Sequence, residues 1–158
     1  MDDVEYGLNT PDVEYGLNVL WNRSFRNGQV YKENLGFFTP DGLLIAPNMM
    51  NTTHSSSYGF NYFEKEIKDK KLFVKWGNQK LQVLGIIHTH PNRSSIQKPT
   101  PRNDFQYGFM GIHNYVMSTY YIYDAFIKNG REYDPILGRR HEYNKLPMEF
   151  FGFKYKGW

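Results

Sequence analysis

His88 and His90, two residues apart in Gly85-Ile86-Ile87-His88-Thr89-His90-Pro91, have the type and spacing that could hold a metal ion. On a strand, alternate side chains share a face, so both imidazoles can aim at one point while Thr89 points away. Two imidazoles alone make a weak site; a catalytic zinc takes three protein ligands and keeps a fourth position open for water. The nearest downstream carboxylate is Asp104, beyond a loop long enough to curl back over the strand end. The sequence predicts Asp104 at the start of a short helix, where free N–H groups favour an anion. His88, His90 and Asp104 with one water would complete a mononuclear, tetrahedral zinc site. Hydrolysis also needs a base, because zinc lowers the pKa of water towards about 7 and a nearby carboxylate can then take the proton and return it to a leaving nitrogen. Glu33 is the best candidate, since it precedes Gly36-Phe37-Phe38 on or beside an apolar strand, an awkward place for a charge that serves no site. The plain alternative is a pair of strand-end histidines. His54, His113 and His141 read as surface or packing residues, with His54 the one whose Ser-rich loop could border a cleft.

These residues need elements to carry them. Leu81 to His88 reads as a central strand with apolar residues on both faces, stopped by Pro91, which lacks the donor a strand interior requires. Val30 to Phe38 and Gly42 to Ala46 are strand-like, with Thr39-Pro40-Asp41-Gly42 as the turn between them. Val13 to Phe25 has apolar residues near helical spacing, and Arg26-Asn27-Gly28 reads as a turn. Asn51 to Gly59 is a polar loop, Tyr62 to Lys71 is expected to be an amphipathic helix carrying Glu64 and Glu66, and Leu72 to Trp76 a strand before a turn at Gly77-Asn78. Asn92 to Arg102 reads as a loop, Asn103 as an N-cap, and Asp104 to Met110 as a short helix. Tyr115 to Ile127 is aromatic and β-branched, which predicts one or two strands before a turn at Asn129-Gly130. The tail from Arg131 to Trp158 is basic and aromatic with weak periodicity, and Trp76 and Trp158 read as packing residues.

The N-terminus holds a tandem duplication: Asp3-Val4-Glu5-Tyr6-Gly7-Leu8-Asn9 recurs as Asp12 to Asn18 around Thr10-Pro11. Two short copies do not make a solenoid. The reading is a loose arm over residues 1–18, with a linker or docking peptide as its functional alternative, followed by a single domain over 19–158.

At 158 residues the chain suffices for one compact domain. Aromatic residues make up 18%, too much ring surface to leave in water, which argues against disorder. The net charge of +3 is too small and too evenly spread to indicate a nucleic-acid surface. The one basic cluster, Lys65 to Lys75, reads as a solvated helix face and turn, with nucleic-acid or acidic-partner binding as the alternative. There is no cysteine, so any metal must be held by imidazole and carboxylate, which also counts against a deaminase zinc site. No apolar run approaches the roughly 20 residues that span a bilayer, and the acidic start Met1-Asp2-Asp3 does not look like a secretory signal, so the expected location is cytoplasmic.

Taken in order, Glu33-Asn34-Leu35-Gly36, His88-Thr89-His90-Pro91 and Asp104 resemble the JAB/MPN (JAMM) metalloproteases, which carry a Glu-x-x-Gly, a His-x-His-Pro at a strand end, and a Ser-x-x-Asp opening a helix. The resemblance spans about Glu33 to Tyr123. It implies an α+β fold similar to the cytidine deaminases, a curved mixed β-sheet with flanking helices. It implies one zinc on His88, His90 and Asp104, Glu33 as general base and acid, and cleavage of a peptide or isopeptide bond, often at the C-terminus of a ubiquitin-like protein. Pro101 stands where the family has the serine that helps hold the oxyanion; Thr100, Ser94 or Ser95 would have to replace it. The variant most similar to this chain is the JAB-like domain of bacterial polymorphic toxins, which would imply secretion or delivery to a target cell and a cognate immunity protein. A catalytically degenerate protein-binding module on the same fold is the competing function.

Overall fold

The computed structural model describes residues 6–47, 61–91 and 98–140. The readings of His54, Ser94, Ser95, His141 and Trp158, of the Asn51 to Gly59 loop and of the tail beyond Arg140 lie outside the described residues. The fold is a mixed α+β arrangement around a large sheet. Its strands are β1 (Leu8–Thr10), β4 (Leu35–Thr39), β5 (Gly42–Ile45), β9 (Gly85–His90), β10 (His113–Ser118), β11 (Tyr121–Lys128), β12 (Arg131–Tyr133) and β13 (Ile136–Arg139). They lie in the order β1-β5-β4-β9-β10-β11-β12, with β13 also paired to β11. Strands β9 and β10 are parallel, with His88 beside Val116 and His90 beside Ser118; β4 runs antiparallel to β9 on the other side, with Leu35 beside His88.

Helix α1 (Val13–Asn22) covers one face. Its buried Val13, Leu17 and Leu20 pack on Phe38, Leu43, Ile45, Ile87, Tyr115, Met117 and Ile122. The opposite face buries Leu35, Phe37, Leu44 and Ile86 under Phe63, Leu72, Val74 and Leu81. Most of that second layer comes from a small sheet of β6 (Lys65–Lys68), β7 (Lys71–Trp76) and β8 (Gln79–Gln82). Since side chains alternate along a strand, Ile87 and Thr89 face α1 while Ile86, His88 and His90 face the other way. A third small pair, β2 (Phe25–Arg26) and β3 (Gln29–Val30), closes around Asn27 and Gly28, both at positive φ.

Several expectations need correction. Tyr62 to Lys71 is not a helix: Lys65–Lys68 and Lys71–Trp76 form a hairpin, with Asp69 and Lys70 both left-handed at its turn. The Lys65 to Lys75 cluster is therefore on a sheet, where Glu64 and Glu66 pair with Lys75 and Lys80. Leu81 to His88 is two strands, since Val83 and Leu84 leave the ladder to cross from the small sheet to the large one. Only Leu35–Thr39 of the stretch from Val30 is a strand of the large sheet. Asp104 does not open a helix; the helical turn is a short 3₁₀ element at Gly108–Met110. The described part of the N-terminal arm is not loose: β1 pairs with β5, and Val13 and Leu17 are fully buried.

The duplication shows why. The first copy ends on β1, while the second, Asp12 to Asn18, enters α1. A helix begun by the first copy would meet Pro11 after Thr10, whereas the second runs on into Val19-Leu20-Trp21-Asn22. Asp12 caps this helix by accepting from the Tyr15 N–H at 3.0 Å, and Thr10 Oγ1 accepts from the Asp12 N–H at 3.1 Å.

Candidate metal centre

Strand β9 ends with His88 buried and His90 half-buried on the face away from α1. Leu35 is level with His88 in the antiparallel register, so Glu33, two residues upstream, comes level with His90 on that same face. Ligand atoms of Glu33, His88 and His90 all lie within 4.8 Å of one another. Asp104 reaches both rings: Oδ1 is 3.1 Å from His88 Nε2 and Oδ2 is 3.4 Å from His90 Nε2. The two Nε2 atoms are 3.0 Å apart. All four residues singled out in the sequence therefore meet at one end of the sheet.

Asp104 is held by a tight turn. Its N–H donates to Thr100 O at 3.1 Å, and the Thr100 N–H donates back to Asp104 Oδ2 at 2.6 Å. Thr100 thus reaches the site through its backbone. Phe105, the next residue, is buried and anchors the turn, while Arg102 sits at positive φ with its N–H on Glu132 Oε2 at 3.1 Å. Pro101 fits this turn without cost, because the N–H it lacks is not among those holding Asp104.

Protons alone cannot satisfy the triangle formed by His88, His90 and Asp104. Each Nε2 carries either one hydrogen or one lone pair in the ring plane. If both rings donate to Asp104, two N–H groups face each other across 3.0 Å. If one ring donates to the other, the acceptor ring presents a lone pair to a carboxylate oxygen. A cation among them would take all three lone pairs at once. The spacing is compatible with zinc, whose bonds of about 2.0–2.1 Å place tetrahedral ligands about 3.3 Å apart: the two Nε2 atoms are 3.0 Å apart, and the Asp104 carboxylate sets Oδ1 at 3.1 Å from His88 and Oδ2 at 3.4 Å from His90.

The electrostatics agree. Burial disfavours a charged His88, but the Asp104 hydrogen bond and the Asp104 and Glu33 charges outweigh it, so the His88 pKa is raised. Burial likewise works against ionised Asp104, yet the hydrogen bond and charge of His88, the Thr100 N–H and the His90 charge bring it down to about 2. Asp104 is therefore an anion throughout the neutral range.

His113 lies at the other end of the sheet, where its Nδ1 is 2.7 Å from Asp124 Oδ1 and its ring stacks on Phe126. It takes no part in this cluster, and Trp76 packs on the apolar layer as expected. Sequence reasoning did not single out Ser24 and Asn34, and it turned Thr89 away from the site. All three are buried, and they form one hydrogen-bonded group directly behind the histidines. No local signal marks them: Thr89 stands between two histidines, Ser24 follows Arg23 and Asn34 follows Glu33.

Comparison of the chain with protein-family models, with curated proteins and with solved structures gave no match.

Proposed function

We propose that this protein is a zinc-dependent peptidase or isopeptidase of JAB/MPN type. The carrying observation is the convergence of Glu33, His88, His90 and Asp104, in which three contacts between ligand atoms cannot all be satisfied by protons. His88, His90 and Asp104 would hold the ion, because Asp104 is in direct contact with both imidazoles. Zinc, when bound, supplies a Lewis acid for the scissile carbonyl and lowers the pKa of water. Glu33, across from His90, takes the proton of the attacking water and returns it to the leaving nitrogen. The raised pKa of His88 suits this set, because it reports the concentrated negative charge of Asp104 and Glu33 that a cation would neutralise.

The same face continues from His90 through Ser118 to the part-exposed Tyr121 and exposed Arg139 on the neighbouring strands. Ser118 is buried with its hydroxyl taken up by the Tyr121 backbone, so a protein or peptide substrate is here what the resemblance implies. A second reading, a protein-binding module with a degenerate site, is favoured by Pro101 at the oxyanion-serine position. Thr100, the candidate replacement, is exposed and could act as oxyanion donor only by turning its hydroxyl inward.

Zinc-loaded protein, offered a fluorogenic peptide mixture and a lysine-linked isopeptide, should cleave one of them. Glu33→Gln should keep its metal and lose about 10²–10⁴-fold in turnover. Equal cleavage by both proteins would remove Glu33 from its role, and metal binding without any cleavage would favour the binding module.

A further inference from the structure

The ladder between β4 and β9 ends at Leu35 and His88, and Glu33 lies beyond that end. A carboxylate on a frayed strand end would wander, yet this one sits within 4.8 Å of both imidazoles. What replaces the ladder is a side chain. The Thr89 N–H donates to Asn34 O at 2.9 Å, as a strand would, but the Asn34 N–H donates to Thr89 Oγ1, also at 2.9 Å.

The rest of the group follows from counting protons. Ser24 Oγ is 3.1 Å from Leu20 O, a pure acceptor, so the single Ser24 hydroxyl proton goes there. Ser24 Oγ then accepts from Asn34 Nδ2 at 3.1 Å and from the Thr89 hydroxyl at 2.7 Å. Every lone pair and proton among these three hydroxyl and amide contacts has one consistent direction. Ser24 and Thr89 are fully buried and Asn34 is 4% exposed, so water cannot substitute for a lost partner. The chain of contacts runs from the last turn of α1, through Ser24, to the residue between the two histidines and the residue after Glu33.

We propose that Thr89, with Ser24 behind it, is a positioning residue that fixes Glu33 relative to the metal ligands. The inference rests on the metal-centre reading and adds to it a reason for the residue type between the histidines. Valine at this position would have the same shape and would leave the Asn34 N–H without its acceptor, whereas serine would keep the hydroxyl.

The test titrates cobalt(II), a visible-absorbing substitute for zinc, into wild type, Glu33→Gln, Thr89→Val and Thr89→Ser, and follows the spectrum with pH. All four should bind the ion, because no ligand is altered. Glu33→Gln should change the spectrum and its pH midpoint. Thr89→Val should move at least half as far in the same direction, and Thr89→Ser should match wild type. If Thr89→Val does not fold, Ser24→Ala takes its place, since it removes the oxygen that receives both Thr89 and Asn34. Coincidence of Thr89→Val, or of that substitute, with wild type while Glu33→Gln departs would overturn the positioning role alone. A wild type that binds no cobalt would overturn the metal centre, and the positioning role with it.

Discussion

At the scale of single residues, the proposed metal centre would set protons and a cation in competition for the same lone pairs. Without metal, Asp104 lies 3.1 Å from His88 and favours its protonated form. Asp104, lowered from 3.8 to about 2, adds stability that is complete above pH 3.8 and is lost as pH falls towards 2. His88, raised above 6.5, adds stability that is complete below pH 6.5 and is lost as pH rises through its folded pKa. Metal-free protein should thus gain most from the pair between about pH 4 and 6.5, in thermal melts across that range. Zinc requires His88 neutral, so its affinity should climb about tenfold per pH unit while that proton is displaced. A pH-independent affinity from pH 5.5 to 7.5 would show that His88 is not a ligand. The four residues that meet at the end of β9 were each conspicuous in the sequence: a charge beside an apolar strand, two imidazoles at strand spacing, and the first carboxylate after them. Ser24, Asn34 and Thr89 were not, because a small hydroxyl gains its role from what lies behind it, and no local pattern shows that helix α1 ends there.

At the scale of elements, the Leu-Asn pair that ends each copy of the duplicated heptapeptide lies on a strand at Leu8-Asn9 and in a helix at Leu17-Asn18, according to its neighbours. Asp12→Ala should lose the cap on Tyr15 and cost about 1 kcal/mol, measured by urea denaturation; an unchanged midpoint would mean that packing alone fixes the helix start. Gly42 has φ +134°, and a Cβ there would stand 2.2 Å from Thr10 O. Gly42→Ala should therefore destabilise by about 1–3 kcal/mol or more, because β1 must shift away from the turn; a neutral effect would show that β1 contributes nothing. The helix expected over Tyr62 to Lys71 failed for a related reason. Ile67 and Phe63 fit a helical spacing, whereas the hairpin depends on a turn of Asp69 and Lys70 with both at positive φ. That conformation usually announces itself with Asn-Gly or Asp-Gly, and Asp-Lys gave no such notice. Asp104 was likewise misplaced on a helix, since the reciprocal Thr100–Asp104 bonds of its turn leave no periodicity to read.

At the scale of the molecule, the large sheet separates two jobs. One face carries α1 and the Ser24–Asn34–Thr89 group, and the other carries the candidate metal centre at the strand ends, beside the small β6-β7-β8 sheet. The α+β class was implied by the family resemblance, and the mixed sheet with helix α1 agrees with it at that coarse level. The order of strands was not legible, because it depends on the parallel pairing of β9 with β10 across the segment that holds Asp104. That pairing, together with β4 on the other side, is what gathers residues 33, 88, 90 and 104 from distant parts of the chain. The most direct test is metal stoichiometry after dialysis against zinc at neutral pH, for wild type, His88→Ala and Asp104→Ala. About one zinc per chain is expected in the wild type, since three protein ligands complete one tetrahedral site with water, with loss of that zinc in both variants and the fold retained. Full zinc in either variant, or none in the wild type, would contradict this expectation.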